Sequence, residues 1–133
     1  MARDDALEAL AKQVVQCGFE IHKQLGPGLL ESAYEALLAE ALRQEGIATF
    51  RQVPLPLEYN GVFVENAFKI DLLVENLLIV ELKSIERLSG VHAKQLLTYL
   101  RLAKLPLGLL MNFGQPLFKD GLKRVANAYY ADR

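Results

Sequence analysis

The chain is poor in the groups that usually organise sulfur and zinc chemistry. Its 133 residues include one cysteine, two histidines and no tryptophan. Cys17 alone cannot close an internal disulfide, and with only His22 and His92 as imidazoles no Cys/His set for zinc can be assembled. A metal held here would be held through oxygen, which favours Mg²⁺ or Mn²⁺. Long apolar runs are missing too. "LLVENLLIVELK" is broken by charge, and "LPLGLLMNF" is much shorter than the roughly 20 residues a bilayer span needs. The opening "MARDDALEALAKQ" carries charges where a secretory leader has its apolar core. We therefore expect a soluble, cytoplasmic protein with no membrane partner. No segment repeats or is of low complexity.

About half of the side chains are apolar, 52%. That suffices for one real core, and the length suits a single domain over 1–133 better than two. The net charge of −1 hides a segregation: residues 1–83 carry 7 Lys/Arg against 13 Asp/Glu, and residues 84–133 carry 8 against 3. A total near zero thus leaves room for a polyanionic partner, because local fields steer binding.

Apolar residues at helical spacing, Leu7, Leu10, Ala11, Val14, Gly18, Ile21 and Leu25, predict a helix over 5–25 that "GPG" at 26–28 stops. A second helix is expected from about Leu30 to Gln44, with Ala33, Leu37, Leu38, Ala41 and Leu42 inward and Gly46 ending it. Then come alternating residues around Val53, Leu55, Leu57 and Tyr59, followed by Asn60-Gly61, a strong signal for a two-residue hairpin turn. Pro54 and Pro56 consign that first strand to a sheet edge. Two further strands, a helix from about Gly90 to Lys104, a buried strand in "LPLGLLMNFG", and a last strand or short helix in "GLKRVANAYY" complete an α/β sandwich. Its mixed central sheet comprises a three-strand antiparallel meander, a crossover helix and a further strand, flanked by helices.

The chemistry concentrates in "KIDLLVENLLIVELKS", residues 69–84, where Asp71, Glu81 and Lys83 interrupt two strand-like apolar runs. Charges are rarely buried without a partner. Whether the acids share a face depends on hairpin parity, since side chains alternate with period two. A two-residue loop at Glu75-Asn76 would set Asp71 opposite Val80. A three-residue loop, Val74 to Asn76, would pair Leu73 with Leu77 and Lys69 with Glu81, and bring Asp71 diagonal to Glu81 on one face. Those two carboxylates, with the carbonyl of Leu82, would line an oxygen site for a hard divalent cation. Lys83 would steady the negative charge on a phosphate under attack or orient a water. Spacing alone does not separate this from a structural cluster in which Lys83 and Lys69 neutralise the acids.

Asp71 followed by Glu81-Leu82-Lys83, on a hairpin between two helices, resembles the PD-(D/E)xK nuclease superfamily, with Ile70-Asp71 where the older consensus has Pro-Asp. "GLLESAY" at 28–34, "VHAKQLLTYL" at 91–100 and "GLLMNFG" at 108–114 resemble the small bacterial and archaeal GxxExxY family, a branch of that superfamily. The resemblance covers about Gly26 to Val125 and implies a restriction-endonuclease-like fold. It also implies that Glu31 adds a further acid from the second helix. The residues themselves allow a plainer role for Glu31, as the third position of a capping box on Gly28. Tyr34 lies on Glu31's face, as a neighbour of the site or, more simply, a half-buried core tyrosine. Gln95 and Tyr99, four residues apart with His92 beside them, flank the stripe of Leu96, Leu100 and Ala103. They resemble the Gln-x-x-x-Tyr element that faces metal or nucleic acid in some branches; a helix-border role is the plainer reading for Gln95 and His92.

The leading expectation is a Mg²⁺- or Mn²⁺-dependent nuclease acting on nucleic acid, DNA above RNA. Asp71, Glu81, Glu31 and the Leu82 carbonyl would hold metal, Lys83 would serve catalysis, and Gln95, Tyr99, Tyr34 and Lys69 would flank the site. The alternative is a catalytically inactive nucleic-acid-binding or protein-interaction module on the same scaffold. Because no Arg-rich arm or tryptophan is available for bases, a homodimer or a larger partner would extend the binding track. The basic residues of 90–104 and 122–124 are expected on the side of Asp71 and Glu81.

Overall fold

Two helices, three strands, a helix and two strands follow one another in the computed structural model, which describes residues 2–127 and side chains from Asp5 onward. Helix α1 spans Ala2–Leu25 and α2 spans Glu31–Gln44. Leu7, Leu10, Ala11, Val14 and Cys17 of α1 are buried, as is His22, whereas Leu25 is half exposed. In α2 the inward stripe is Tyr34, Leu38 and Leu42 with Glu35 and Ala39. Of the expected Ala33, Leu37, Leu38, Ala41 and Leu42, Leu38 and Leu42 are fully buried and Ala41 packs against the core, whereas Leu37 is exposed and the stripe is centred nearer Tyr34. The tyrosine is the reason: it is fully buried and stacks on Phe113 with ring centroids 4.4 Å apart, which fixes the helix's rotation.

α2 ends where Gly46 takes a left-handed φ of 78°. The N–H groups of Gly46 and Ile47 donate to the carbonyls of Arg43 and Leu42, so the last turn leaves no orphan acceptor there. The chain then enters β1, Thr49–Tyr59, and β2, Val62–Val74, joined by Asn60-Gly61 with both φ angles positive, 50° and 80°. β3 is Leu78–Lys83, α3 is Gly90–Ala103, β4 is Leu107–Asn112, and a short 3₁₀ turn at Phe118–Gly121 leads into β5, Leu122–Ala126. The five strands lie in the order β1-β2-β3-β4-β5. Only β3 and β4 run parallel, and α3 makes the crossover between them. β1 is an edge, as Pro54 and Pro56 require. Part of "GLKRVANAYY" is thus strand, and residues 128–133 lie outside the described range.

The sheet divides the apolar residues into two layers. The larger joins α1 and α2 to Leu72, Val74, Val80, Leu82, Leu109 and Met111. The smaller joins α3 to Ile70, Ile79 and Leu110. Ile70 and Leu72 are two residues apart on β2 yet serve opposite layers. The strand changes sides at Asp71, where the neighbouring strand holds Gln52 at a φ of 52°. No helix among the described residues is long and apolar enough to cross a membrane.

Candidate active site

The register between β2 and β3 brings the two acids together. Leu72 pairs with Val80, Leu73 with Ile79 and Val74 with Leu78. Three residues, Glu75, Asn76 and Leu77, lie between the last partners, so parity is odd, as the shared face requires. The loop is nevertheless placed one residue later than expected. Glu75 and Asn76 both have φ of 53° and the Leu77 N–H closes on the Val74 carbonyl at 3.0 Å, which makes a tight turn with Leu77 as an extra, unpaired residue. The consequence is a correction: continuing the register sets Asp71 opposite Glu81 rather than diagonal to it, and Lys69 is not Glu81's partner.

Past Leu72 and Val80 the backbone ladder gives way to side chains. The Asp71 N–H donates to Glu81 Oε2 at 2.7 Å, and the Leu82 N–H donates to Asp71 Oδ2 at 2.9 Å. Each carboxylate takes the place of a strand carbonyl, so the strand ends separate around a pair of acids. Asp71 Oδ1 accepts a third bond, from Gln52 Nε2 at 3.2 Å. Glu81 is only 5% exposed. Burial, and then the charge of Asp71, push its carboxyl up to about 8 from an ordinary 4.5. Asp71 is raised by burial, with Glu35 adding to the shift; bonds from Leu82 and Gln52 and the charge of Lys83 oppose it.

Glu31 belongs to the same field. It is raised by desolvation and by the charge of Asp71, and lowered by Lys83. It is the first residue of α2, whose N-cap is Leu30 and carries no side-chain cap bond, so the capping box on Gly28 is absent. Tyr34 does not reach the acids. Its hydroxyl donates to the Gly26 carbonyl and accepts from the Leu29 N–H, pinning the loop that delivers Glu31. The Ser84 hydroxyl donates to the Leu29 carbonyl at 2.7 Å and ties that loop to the segment after Lys83. Asn112 does the rest: fully buried, it accepts from the N–H groups of Ile85 and Gly114 and donates to the Ile85 carbonyl. At Gly114 a Cβ would lie 2.2 Å from the Ile85 carbonyl oxygen, so only glycine fits beneath the turn.

On the α3 side, Tyr99 stacks on Phe68 with centroids 4.5 Å apart, and its hydroxyl is raised by burial and then by the charges of Glu81 and Asp71. Gln95 is exposed on the same helix. His92 serves the helix start, its Nδ1 accepting from the Ser89 N–H at 3.0 Å. Arg124 departs from the expected basic track. It donates to Glu8 of α1, on the opposite layer from α3, and β5 lies two strands beyond β3.

Two residues escaped the sequence reading. Glu35, 4% exposed, accepts from Arg51 Nε at 3.0 Å and from Gln52 Nε2 at 2.7 Å. A signal existed for Glu35: Glu31 and Glu35 are like charges four residues apart, an arrangement a helix would not keep for its own sake. Gln52 left none.

Among the described residues no ion pair joins Lys83 or Lys69 to these acids, and Lys83 acts on them only through its charge. Nor do three Asp, Glu, His or Cys side chains converge as a ready metal set. The donor chemistry still fits a hard cation: two carboxyl groups held by backbone N–H donors, with Glu31 in reach of their field, whose ionised forms a divalent charge would favour. Mg²⁺ commonly uses one or two carboxylates and fills its other positions with water and phosphate. Residues 8–125 match a family model described as the PD-(D/E)XK nuclease superfamily. No curated protein and no solved structure matches the chain.

Proposed function

The chain belongs to the PD-(D/E)XK nuclease superfamily, and on that premise we propose that it is a metal-dependent nuclease hydrolysing phosphodiester bonds of nucleic acid, DNA before RNA. The observation that carries the reading is the Asp71–Glu81 pair at the parting end of β2 and β3, with Lys83 two residues beyond Glu81. We read it further as a member of the GxxExxY branch, since the Glu and Tyr of "GLLESAY" have distinct tasks: Glu31 adds charge to the site and Tyr34 fixes the loop before it.

Asp71, Glu81 and the Leu82 carbonyl would hold Mg²⁺ or Mn²⁺, with Glu31 as a further acid. When bound, such an ion supplies charge neutralisation for a phosphate under attack. The protein's own part is to keep the two carboxylates aimed by backbone N–H groups and to set the Lys83 ammonium on their face. There it offsets the charge that builds on the phosphoryl oxygens as a water oxygen bonds to phosphorus and the bond to the leaving sugar oxygen breaks. Tyr99 and Gln95, from α3, border the site on the substrate side. With Arg124 taken up by Glu8, a second copy or a larger partner completes the grip on nucleic acid. The lone thiol of Cys17, free and buried, suits the cytoplasm as the working compartment.

The test is a cleavage assay on single- and double-stranded DNA and RNA in Mg²⁺, in Mn²⁺ and in EDTA. Cutting that needs the metal and disappears in Asp71→Asn supports the reading. A purified wild type that cuts nothing in either metal moves the protein to the inactive binding-module alternative.

A further inference from the structure

Gln52 stands in a conformation its sequence does not favour. It is an internal residue of β1, yet its φ is 52°, in the left-handed region that non-glycine residues seldom occupy. The ladder to β2 passes over it: Arg51 pairs with Leu72 and Val53 with Ile70, with no pair between them. A residue held this way signals that its surroundings over-determine it. Those surroundings are three side chains. Its amide nitrogen donates to Glu35 at 2.7 Å and to Asp71 at 3.2 Å, while Arg51 holds the same Glu35 from the adjacent position.

The arrangement is a chain of bonds running from a buried acid on α2, through a strand amide, to the acid of the site. A carboxylate alone accepts from many directions and rotates about its terminal torsion. Asp71 is spared that freedom, because Gln52 takes one oxygen and the Leu82 N–H takes the other. The plane of the carboxylate is thereby set, and each oxygen keeps a lone pair for a cation. Glu35 in turn fixes which way the amide faces, since the nitrogen must meet two acceptors and the amide oxygen is turned away from both.

We propose that Gln52, oriented by Glu35, is a positioning residue that holds the Asp71 carboxylate in the attitude needed to receive a divalent cation. The inference rests on the metal-dependent reading above and adds to it two residues outside the acidic motif and the Lys. Groups that orient ligands typically matter by 10- to 100-fold in metal affinity.

The experiment measures Mn²⁺ binding by electron paramagnetic resonance, alongside melting temperature, in the wild type and in Gln52→Gly, Gln52→Ala and Asp71→Asn. Glycine accepts the left-handed backbone without strain, so Gln52→Gly removes the amide and leaves the fold intact. Gln52→Ala removes the amide and keeps the strain. The expected result is a loss of Mn²⁺ affinity of roughly 10-fold or more in both Gln52 variants, with the melting temperature of Gln52→Gly at or above that of the wild type. Wild-type affinity in Gln52→Gly, or a loss confined to Gln52→Ala, overturns the proposal, because backbone shape would then matter and the amide would not. If Asp71→Asn also binds Mn²⁺ like the wild type, the metal site itself is elsewhere and both readings fall. Weak binding in Asp71→Asn with normal binding in Gln52→Gly removes this proposal alone.

Discussion

Asp71 and Glu81 are joined by exchange: the backbone N–H of Asp71 donates to the carboxylate of Glu81, and the carboxylate of Asp71 takes the backbone N–H of the residue after Glu81. Two acids that repel through their charges are thus held together by main-chain donors. The strands can part at this point without leaving those N–H groups unsatisfied, and the opening so made is lined by oxygen.

Asp71→Asn should fold and fail to cut. An asparagine oxygen can still accept from the Leu82 N–H, so the strand ends stay joined, and the loss of one charge relieves Glu81. Lys83→Met keeps the stem and removes the ammonium. Both variants are expected to lose metal-dependent cleavage by two or more orders of magnitude, as removal of electrostatic stabilisation does. Their melting temperatures at neutral pH should stay near the wild type. Single-turnover cleavage with parallel thermal melts checks this, and a drop in melting temperature with activity kept would point to a structural role.

The pH dependence of stability follows from Glu81. Its folded carboxyl is raised from 4.5 to about 8, so the folded protein holds this proton more tightly than the unfolded chain. The stabilisation is complete below about pH 4.5 and is lost as pH rises through about 8. Asp71 and Glu31 are raised as well and act in the same sense. Melting in EDTA from about pH 5 to about pH 9 should therefore show a steady decline that Glu81→Gln flattens, a difference on the order of a few kcal/mol at the alkaline end. Because a cation displaces the proton, added Mg²⁺ should restore stability most at high pH. A decline unaltered by Glu81→Gln would assign it to other groups.

Tyr34→Phe isolates the loop that carries Glu31. The ring and its stack on Phe113 remain, while the Gly26 carbonyl and the Leu29 N–H lose their partner. The expected cost is about 1–3 kcal/mol in urea unfolding, with faster proteolysis between α1 and α2. Cleavage should fall less than in Asp71→Asn, since the hydroxyl touches neither acid.

Basic residues should differ in what they do for binding. Arg124 is engaged with Glu8, away from the acids, so Arg124→Ala should leave both the affinity for duplex DNA and its salt dependence unchanged. Lys83→Met should reduce the slope of log K against log salt by about 0.9, one phosphate's worth. Fluorescence anisotropy between low and moderate salt measures both slopes. A slope reduced by Arg124→Ala would restore the expectation of a single basic track.

Much of this was legible because it is local. The odd parity of the hairpin carrying Asp71 and Glu81 depends only on neighbouring residues and was legible, and Asn60-Gly61 announced its own turn, whereas the change of sides of β2 at Asp71 broke the expected alternation. The register error of one residue arose at Leu77. A tight turn on Glu75-Asn76 has the wrong parity by itself, but with Leu77 left unpaired after it the parity equals that of a looser three-residue loop, and the Leu77 N–H bond to Val74 selects the tight turn. The rotation of α2 was missed for a different reason. Leu38 and Leu42 were expected inward and are, but Leu37 served that stripe as well as Tyr34 did until Phe113, far along the chain, offered the tyrosine a stacking partner.

Local pattern alone sufficed for the order of elements, the edge position of β1 and the odd parity of the hairpin carrying the two acids, because propensity, proline chemistry and period-two alternation act within a few residues. Only the tertiary structure decided that Asp71 and Glu81 are direct partners, that Tyr34 belongs to the core, and that Glu35 and Gln52 reach the site. Those outcomes depend on contacts between residues 10 to 79 positions apart in the chain. Such contacts form where packing and the need to satisfy buried donors and acceptors bring distant segments together, and no local pattern encodes which segments those will be.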